Sequence, residues 1–183
     1  MNTLTIIGII IAIIIILIIL LYNSLIRLKN QVKNSFAQID VQLKRRNDLI
    51  PNLVEAVKGY MKHEKTLLQN ITKERASMMQ AKTIEGKAKS SNMLSNTLKS
   101  LFAVSENYPQ LKANENFLQL QEEITGTENK ISYARQHYND MVMVFNTKIE
   151  KFPNNIIAGS LSFQKEQSFK ATEAERKNVE VKF

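Results

Sequence analysis

From Phe36 to Ile71 the apolar residues fall at Phe36, Ile39, Leu43, Ile50, Leu53, Val57, Tyr60, Leu67 and Ile71. Arg46 and Glu64 fill the two gaps, so the steps alternate three and four throughout. That period lays a single stripe along a helix and requires partner helices to cover it. Pro51 sits in the middle of the stripe, just after a polar run of Lys44, Arg45, Arg46, Asn47 and Asp48. Proline inside a helix lacks an N–H and crowds the carbonyl four residues back. Two arrangements accommodate it. A new helix could be capped by Asn47 or Asp48 with Pro51 in its first turn. Alternatively one helix bends at Pro51, which the unbroken phase through Leu43, Arg46, Ile50 and Leu53 favours.

Before the stripe, Leu4 to Tyr22 is nineteen residues without a charge, eleven of them isoleucine. A run of this length covers the hydrocarbon of a bilayer at ~1.5 Å per residue, so Leu4, Ile6, Ile16, Leu20 and Tyr22 are read as membrane-spanning. A cleaved leader is disfavoured, because Met1 to Thr5 holds no Lys or Arg and Leu20-Leu21-Tyr22-Asn23 offers no small-residue cleavage site. Arg27, Lys29 and Lys33 follow the span, and by the positive-inside rule they place the carboxyl-terminal part in the cytoplasm with a short tail outside. Gly8 and Ala12 form a small-x-x-x-small pair that would let two spans approach closely; otherwise they are incidental small residues.

Leu25, Leu28 and Val32 carry the pattern out of the span, so the first helix is expected to reach about Gln80. Lys82 to Ser91 loses periodicity and reads as a loop around Gly86. Met93, Leu94, Leu98, Leu101, Phe102 and Val104 predict a second helix, ended by Tyr108-Pro109. Asn114 is the expected N-cap of a long third helix. Its stripe is Phe117, Leu120, Ile124, Thr127, Ile131, Ala134, Tyr138, Met141, Phe145 and Ile149, stopped at Phe152-Pro153. Asn154 to Ser162 reads as a loop, Lys165 to Lys177 as a short fourth helix, and Val179 to Phe183 as an extended tail. The expected fold class is all-α: a transmembrane anchor over 1–24, then a long antiparallel bundle of about four helices over 25–183. The first and third helices would each exceed ~50 Å, giving a rod.

Composition narrows the chemistry. The absence of cysteine excludes disulfides, thiolate metal sites and cysteine nucleophiles. His63 and His137 lie in neither an H-E-x-x-H nor a Glu-x-x-His pattern. Phosphate-binding glycine loops, nucleophile elbows and dinucleotide fingerprints are lacking. No catalytic or metal-ligating set, no cofactor and no small-molecule substrate is therefore expected. The net charge of +8 suits anionic lipid, an acidic partner or nucleic acid. Lys44-Arg45-Arg46 is the densest basic cluster, yet it has no stacking aromatics on the same face, which disfavours nucleic acid. Asp40 and Asp48, one turn to either side of Lys44, predict a self-paired ladder. Arg46 alone occupies a stripe position, so it must pair with an acid of another helix or face a partner. Lys44, Arg45, Arg46, Asp48 and Asn52 are the candidate interaction residues.

Several longer strings resemble the LemA family of bacterial membrane proteins. They are Ile39-Asp40-Val41-Gln42-Leu43-Lys44-Arg45-Arg46, Asp48-Leu49-Ile50-Pro51-Asn52-Leu53-Val54 and Val57-Lys58-Gly59-Tyr60. Further on come Leu111-Lys112-Ala113-Asn114-Glu115-Asn116-Phe117, Thr127-Glu128-Asn129, Phe152-Pro153 and Ile157-Ala158-Gly159. Gln80 to Asn92 departs as a variable stretch, and Gly126 replaces a better helix former. The resemblance implies one amino-terminal span, an antiparallel helical bundle and no enzymatic role. Relatives are linked to membrane organisation, including magnetosome formation, and some are encoded near a membrane metalloprotease. The expected function is a non-enzymatic scaffold or interaction module anchored in the bacterial inner membrane, contacting other membrane proteins or itself. Binding of anionic lipid or nucleic acid through the basic surface is the alternative.

Overall fold

The computed structural model describes residues 2–169. Helices α1 (Thr3–Lys58), α2 (Lys65–Gln80), α3 (Ile84–Ser105), α4 (Pro109–Lys112), α5 (Glu115–Glu150) and α6 (Asn154–Ser160) follow in order. Among the described residues there is no strand, and the all-α class holds. The chain divides into two compact units. One comprises residues 2–37 and 136–168, the other residues 38–135 together with Phe169.

In the first unit, the start of α1 is long and apolar enough to cross a membrane, and none of that apolar stretch is buried against protein. Beyond it, Leu25, Val32 and Ser35 of α1 and Tyr138, Val142, Phe145 and Ile149 of α5 are buried. The Phe36 and Tyr138 rings lie 5.4 Å apart. Residues 154–160 form α6 rather than the expected loop, because its buried face of Asn154, Ile157 and Ala158 gives even a short helix something to pack. This helix closes with Phe163 N–H on the Ala158 carbonyl at 2.9 Å and Ser162 N–H on the Gly159 carbonyl at 3.3 Å. Ser162 takes φ 55°, the left-handed C′ position of such a closure.

Residues 165–169 are not helical, against the expectation of a fourth helix from Lys165; the remainder of that helix and the terminal tail lie outside the described residues. An extended segment is held instead by polar side chains of α5. Asn146 exchanges two hydrogen bonds with the Glu166 backbone, at 3.0 and 2.9 Å. The Tyr138 hydroxyl donates to the Gln167 carbonyl at 2.7 Å. Burial, aided by the Glu166 charge, pushes the Tyr138 hydroxyl up to about 12.

The second unit has a core of Ile50, Leu53, Val57, Met61, Ile71, Leu94, Leu98, Leu101, Leu111, Phe117 and Ile124. The stripe of α1 is buried as expected at Ile39, Leu43, Arg46, Ile50, Leu53 and Val57. The helix continues through Pro51. Pro51 has no N–H for the Asn47 carbonyl, and Arg75 of α2 supplies one: its Nε donates to that carbonyl at 2.8 Å. A long-range contact thus replaces the missing rung of the helix ladder.

The first helix does not reach Gln80. It ends at Lys58, and Gly59 to Glu64 wind through tight turns, Tyr60 N–H to Val57 at 3.0 Å and Glu64 N–H to Met61 at 3.1 Å. Met61 is buried there while Tyr60 is 37% exposed. Met61 rather than the stripe residue Tyr60 takes the buried position at the turn, although the apolar spacing of the sequence runs on across this break. Glycine, a poor helix former, marks the position. Only Ala81 to Thr83 separate α2 from α3, so most of the predicted loop of 82–91 is helix. Thr83 caps α3 by accepting from Gly86 N–H at 3.0 Å, and a Cβ on Gly86 would stand 2.9 Å from that hydroxyl. Asn114 caps α5 as expected, accepting from Phe117 N–H at 3.0 Å. Thr127 fills the polar gap in the α5 stripe by donating to the Glu123 carbonyl at 2.7 Å.

Two outcomes are expected from these contacts. Arg75→Met leaves a carbonyl without a donor and should destabilise by ~1–3 kcal/mol. In a Pro51→Ala background α1 regains its own hydrogen bond and most of that loss should vanish, as a denaturant double-mutant cycle would show. For Tyr138, both folded and unfolded states carry the proton below pH 10. Between pH 10 and about 12 only the folded state keeps it, so stability falls as pH rises. Tyr138→Phe should lose ~1 kcal/mol at neutral pH, from the bond to Gln167, and shed that alkaline slope in melts monitored by circular dichroism.

Candidate interaction site

Arg46 has no solvent exposure, although it comes from the basic run. A guanidinium at a core position of a helical bundle is tolerated only when acids and hydroxyls surround it. Nη1 pairs with Glu128 of α5 and donates to Ser95 Oγ of α3 at 2.9 Å; Nη2 donates to Ser91 Oγ at 3.1 Å. The Ser95 hydroxyl has either Glu128 Oε2 or the Ser91 carbonyl as acceptor, each at 3.0 Å. Three helices are thereby joined through one side chain. Arg46 Nε has no acceptor among the described residues. Glu128 is 30% exposed and faces a cleft of about 430 Å³ between α3 and α5, lined also by Asn92, Asn96, Lys99 and Arg135.

The other candidates from the basic run lie outside this cluster. Arg45 is exposed and 4.0 Å from Glu123; Lys44, Asp48 and Asn52 are exposed. The self-paired ladder does not form, because Asp40 is taken by Lys87 of α3, with Nζ 2.6 and 2.7 Å from its two oxygens. Leu4, Ile6, Gly8, Ala12, Ile16, Leu20 and Tyr22 are all exposed along α1. His63 and His137 are exposed as well, and among the described residues no three His, Asp or Glu side chains converge.

A second feature was not anticipated from the sequence. Between the end of α1 and α2 runs an open groove of about 910 Å³ with Val54, Met61, Leu68 and Ala76 among its apolar lining. Lys58, Lys62, Lys65 and Lys73 also line it. Lys58 is paired with Glu55 at 3.3 Å, whereas Lys62, Lys65 and Lys73 carry no ion pair among the described residues. The N-cap residue of α2, Glu64, makes no side-chain capping hydrogen bond, and the helix has no acid in its first turn. Glu64, the nearest acid in sequence, accepts from the Tyr108 hydroxyl at 3.4 Å. Burial, together with the charge and hydrogen bond of Glu64, holds that hydroxyl above the usual tyrosine value. The lysine spacing of four, three and eight residues is a helical one and was visible in the sequence, but it was hidden among ordinary surface charges.

Glu128→Gln should destabilise by ~3 kcal/mol or more, since it leaves a buried guanidinium without its counter-charge. Arg46→Met, which removes the charge and keeps the volume, should cost less than Glu128→Gln or even stabilise. Urea titration of the detergent-solubilised protein would order the two.

Comparison with known proteins supplies the last observations. A family model for the LemA family matches residues 35–183. A protein named LemA from Metamycoplasma hominis is 30% identical over 162 residues, which is 87% of this chain and 73% of that protein. Magnetosome proteins MamQ 1 and MamQ 2 of Paramagnetospirillum magneticum are each 20% identical over 174 residues, 81% of this chain and 64% of theirs.

Proposed function

The chain belongs to the LemA family, and from that premise we propose that it is a membrane-anchored, non-enzymatic interaction protein. In this reading residues 1–24 form a single span of the bacterial inner membrane, with the amino terminus outside and the helical domain in the cytoplasm. The domain docks an acidic amphipathic helix of another membrane-associated protein in the groove between α1 and α2.

The observation that carries this reading is the combination of an apolar floor with unpaired lysines along the rim. A helix laid in such a groove buries its apolar face on Val54, Met61 and Leu68 and meets Lys62, Lys65 and Lys73 with acids. Charge steers the encounter and chooses the partner, and apolar burial holds it. Nucleic acid would use the lysines and leave the floor unused, and a second copy of this +8 chain would meet like charge.

A photo-crosslinker in place of Gln69, at the groove, tests this in cells. Crosslinks should fall on an acidic helical segment of a membrane-associated protein, and Lys62→Glu combined with Lys65→Glu should abolish them. Crosslinks to lipid or nucleic acid alone, or crosslinking insensitive to charge reversal, would overturn the docking.

A further inference from the structure

Phe152, Ile156 and Leu161 stand 78%, 64% and 51% exposed around the α5–α6 corner. On the other side of α6, Asn154, Ile157 and Ala158 are buried, so the helix has an apolar residue on each side. Large apolar side chains in such a patch require a partner surface.

The contacts within this unit say where the corner lies. The Phe163 ring, two residues past Leu161, is 6.4 Å from the ring of Tyr22, the last residue of the apolar run. Phe145 lies 6.4 Å from the same Phe163 ring, and Lys29 Nζ sits 5.6 Å over it. The spacing along the helices agrees. Phe36 and Tyr138 are in contact, and Phe152 follows Tyr138 by as many residues as Tyr22 precedes Phe36. The corner therefore stands level with the end of the apolar run. Lys151 at the corner and Arg27 just after the apolar run are exposed, and Lys165 pairs with Glu150.

We propose that the α5–α6 corner is a second membrane contact, with Phe152, Ile156 and Leu161 entering the headgroup–acyl boundary of an anionic bilayer beside the span. The inference rests on the reading of α1 as a membrane anchor. Aromatic and aliphatic side chains backed by lysine and arginine are the chemistry of interfacial binding. Two attachments fix the tilt of the helix pair against the bilayer plane, which a single span leaves free.

The chain has no tryptophan, so each single substitution is a clean fluorescent reporter. Full-length Phe152→Trp, Gln136→Trp and Ile14→Trp are reconstituted into phosphatidylglycerol-containing vesicles with lipids brominated near the top of the acyl chains. An interfacial corner carries its apolar face ~5–10 Å into the boundary, so Phe152→Trp should emit to the blue and lose about half its emission. Gln136→Trp, an exposed position of the same unit on the other side of Tyr138, should stay unquenched by lipid and open to aqueous iodide. If Ile14→Trp is shielded from iodide while Phe152→Trp behaves like Gln136→Trp, the corner contact is overturned and the anchor stands. If Ile14→Trp is itself open to iodide, both readings fall.

Discussion

A guanidinium that cannot reach water must be answered from within the protein, and in the second unit that requirement falls on Arg46. Its answer is spread over two other helices: Glu128 of α5 carries the charge, and Ser95 and Ser91 of α3 each accept a hydrogen bond. Apolar stripes alone would permit neighbouring registers at small cost, since one leucine-sized residue packs much like another. A buried ion pair does not permit them, because a helix shifted by one turn would leave the charge unpaired. The arrangement of α1, α3 and α5 around residue 46 is thus set by electrostatics, while apolar burial supplies the binding energy.

Pro51 and Arg75 express the same logic in the backbone. The orphan Asn47 carbonyl is a polar group that α1 cannot satisfy alone, and its donor arrives from α2. α2 is consequently fastened to α1 at a point where the helix is incomplete without it. The groove is lined by these same two helices, so the contact also ties its walls together.

Much of this was legible in the sequence, and the failures have physical causes. The stripes of α1 and α5, the caps at Asn114 and the persistence of helix through Pro51 were readable because each depends on local spacing or a single capping side chain. The either-or posed by Arg46 was readable too, though which acid answers it depends on tertiary register. The break at Gly59 was missed because the apolar spacing of the sequence runs on across it. The start of α3 was missed because Thr83 and Gly86 form a cap within a stretch whose composition resembles a loop. α6 was missed because seven residues hold too little periodicity to show an amphipathic face. The lysines of the groove were on the page, but only the fold separates lysines beside an apolar floor from those on a solvated face.

The distance along the chain between Arg46 and its acid has a consequence for how the protein is made. The two residues are 82 positions apart. A ribosome releases the α1 stripe, with an unanswered cation set in it, long before Glu128 exists. Through that interval α1 lacks its α5 partner, while α2 and α3, joined by a short link, can pair locally as they emerge. Neutralisation of Arg46 therefore waits for synthesis of α5, and a chain truncated just before residue 128 carries α1 to α4 and the start of α5 without the carboxylate that answers it.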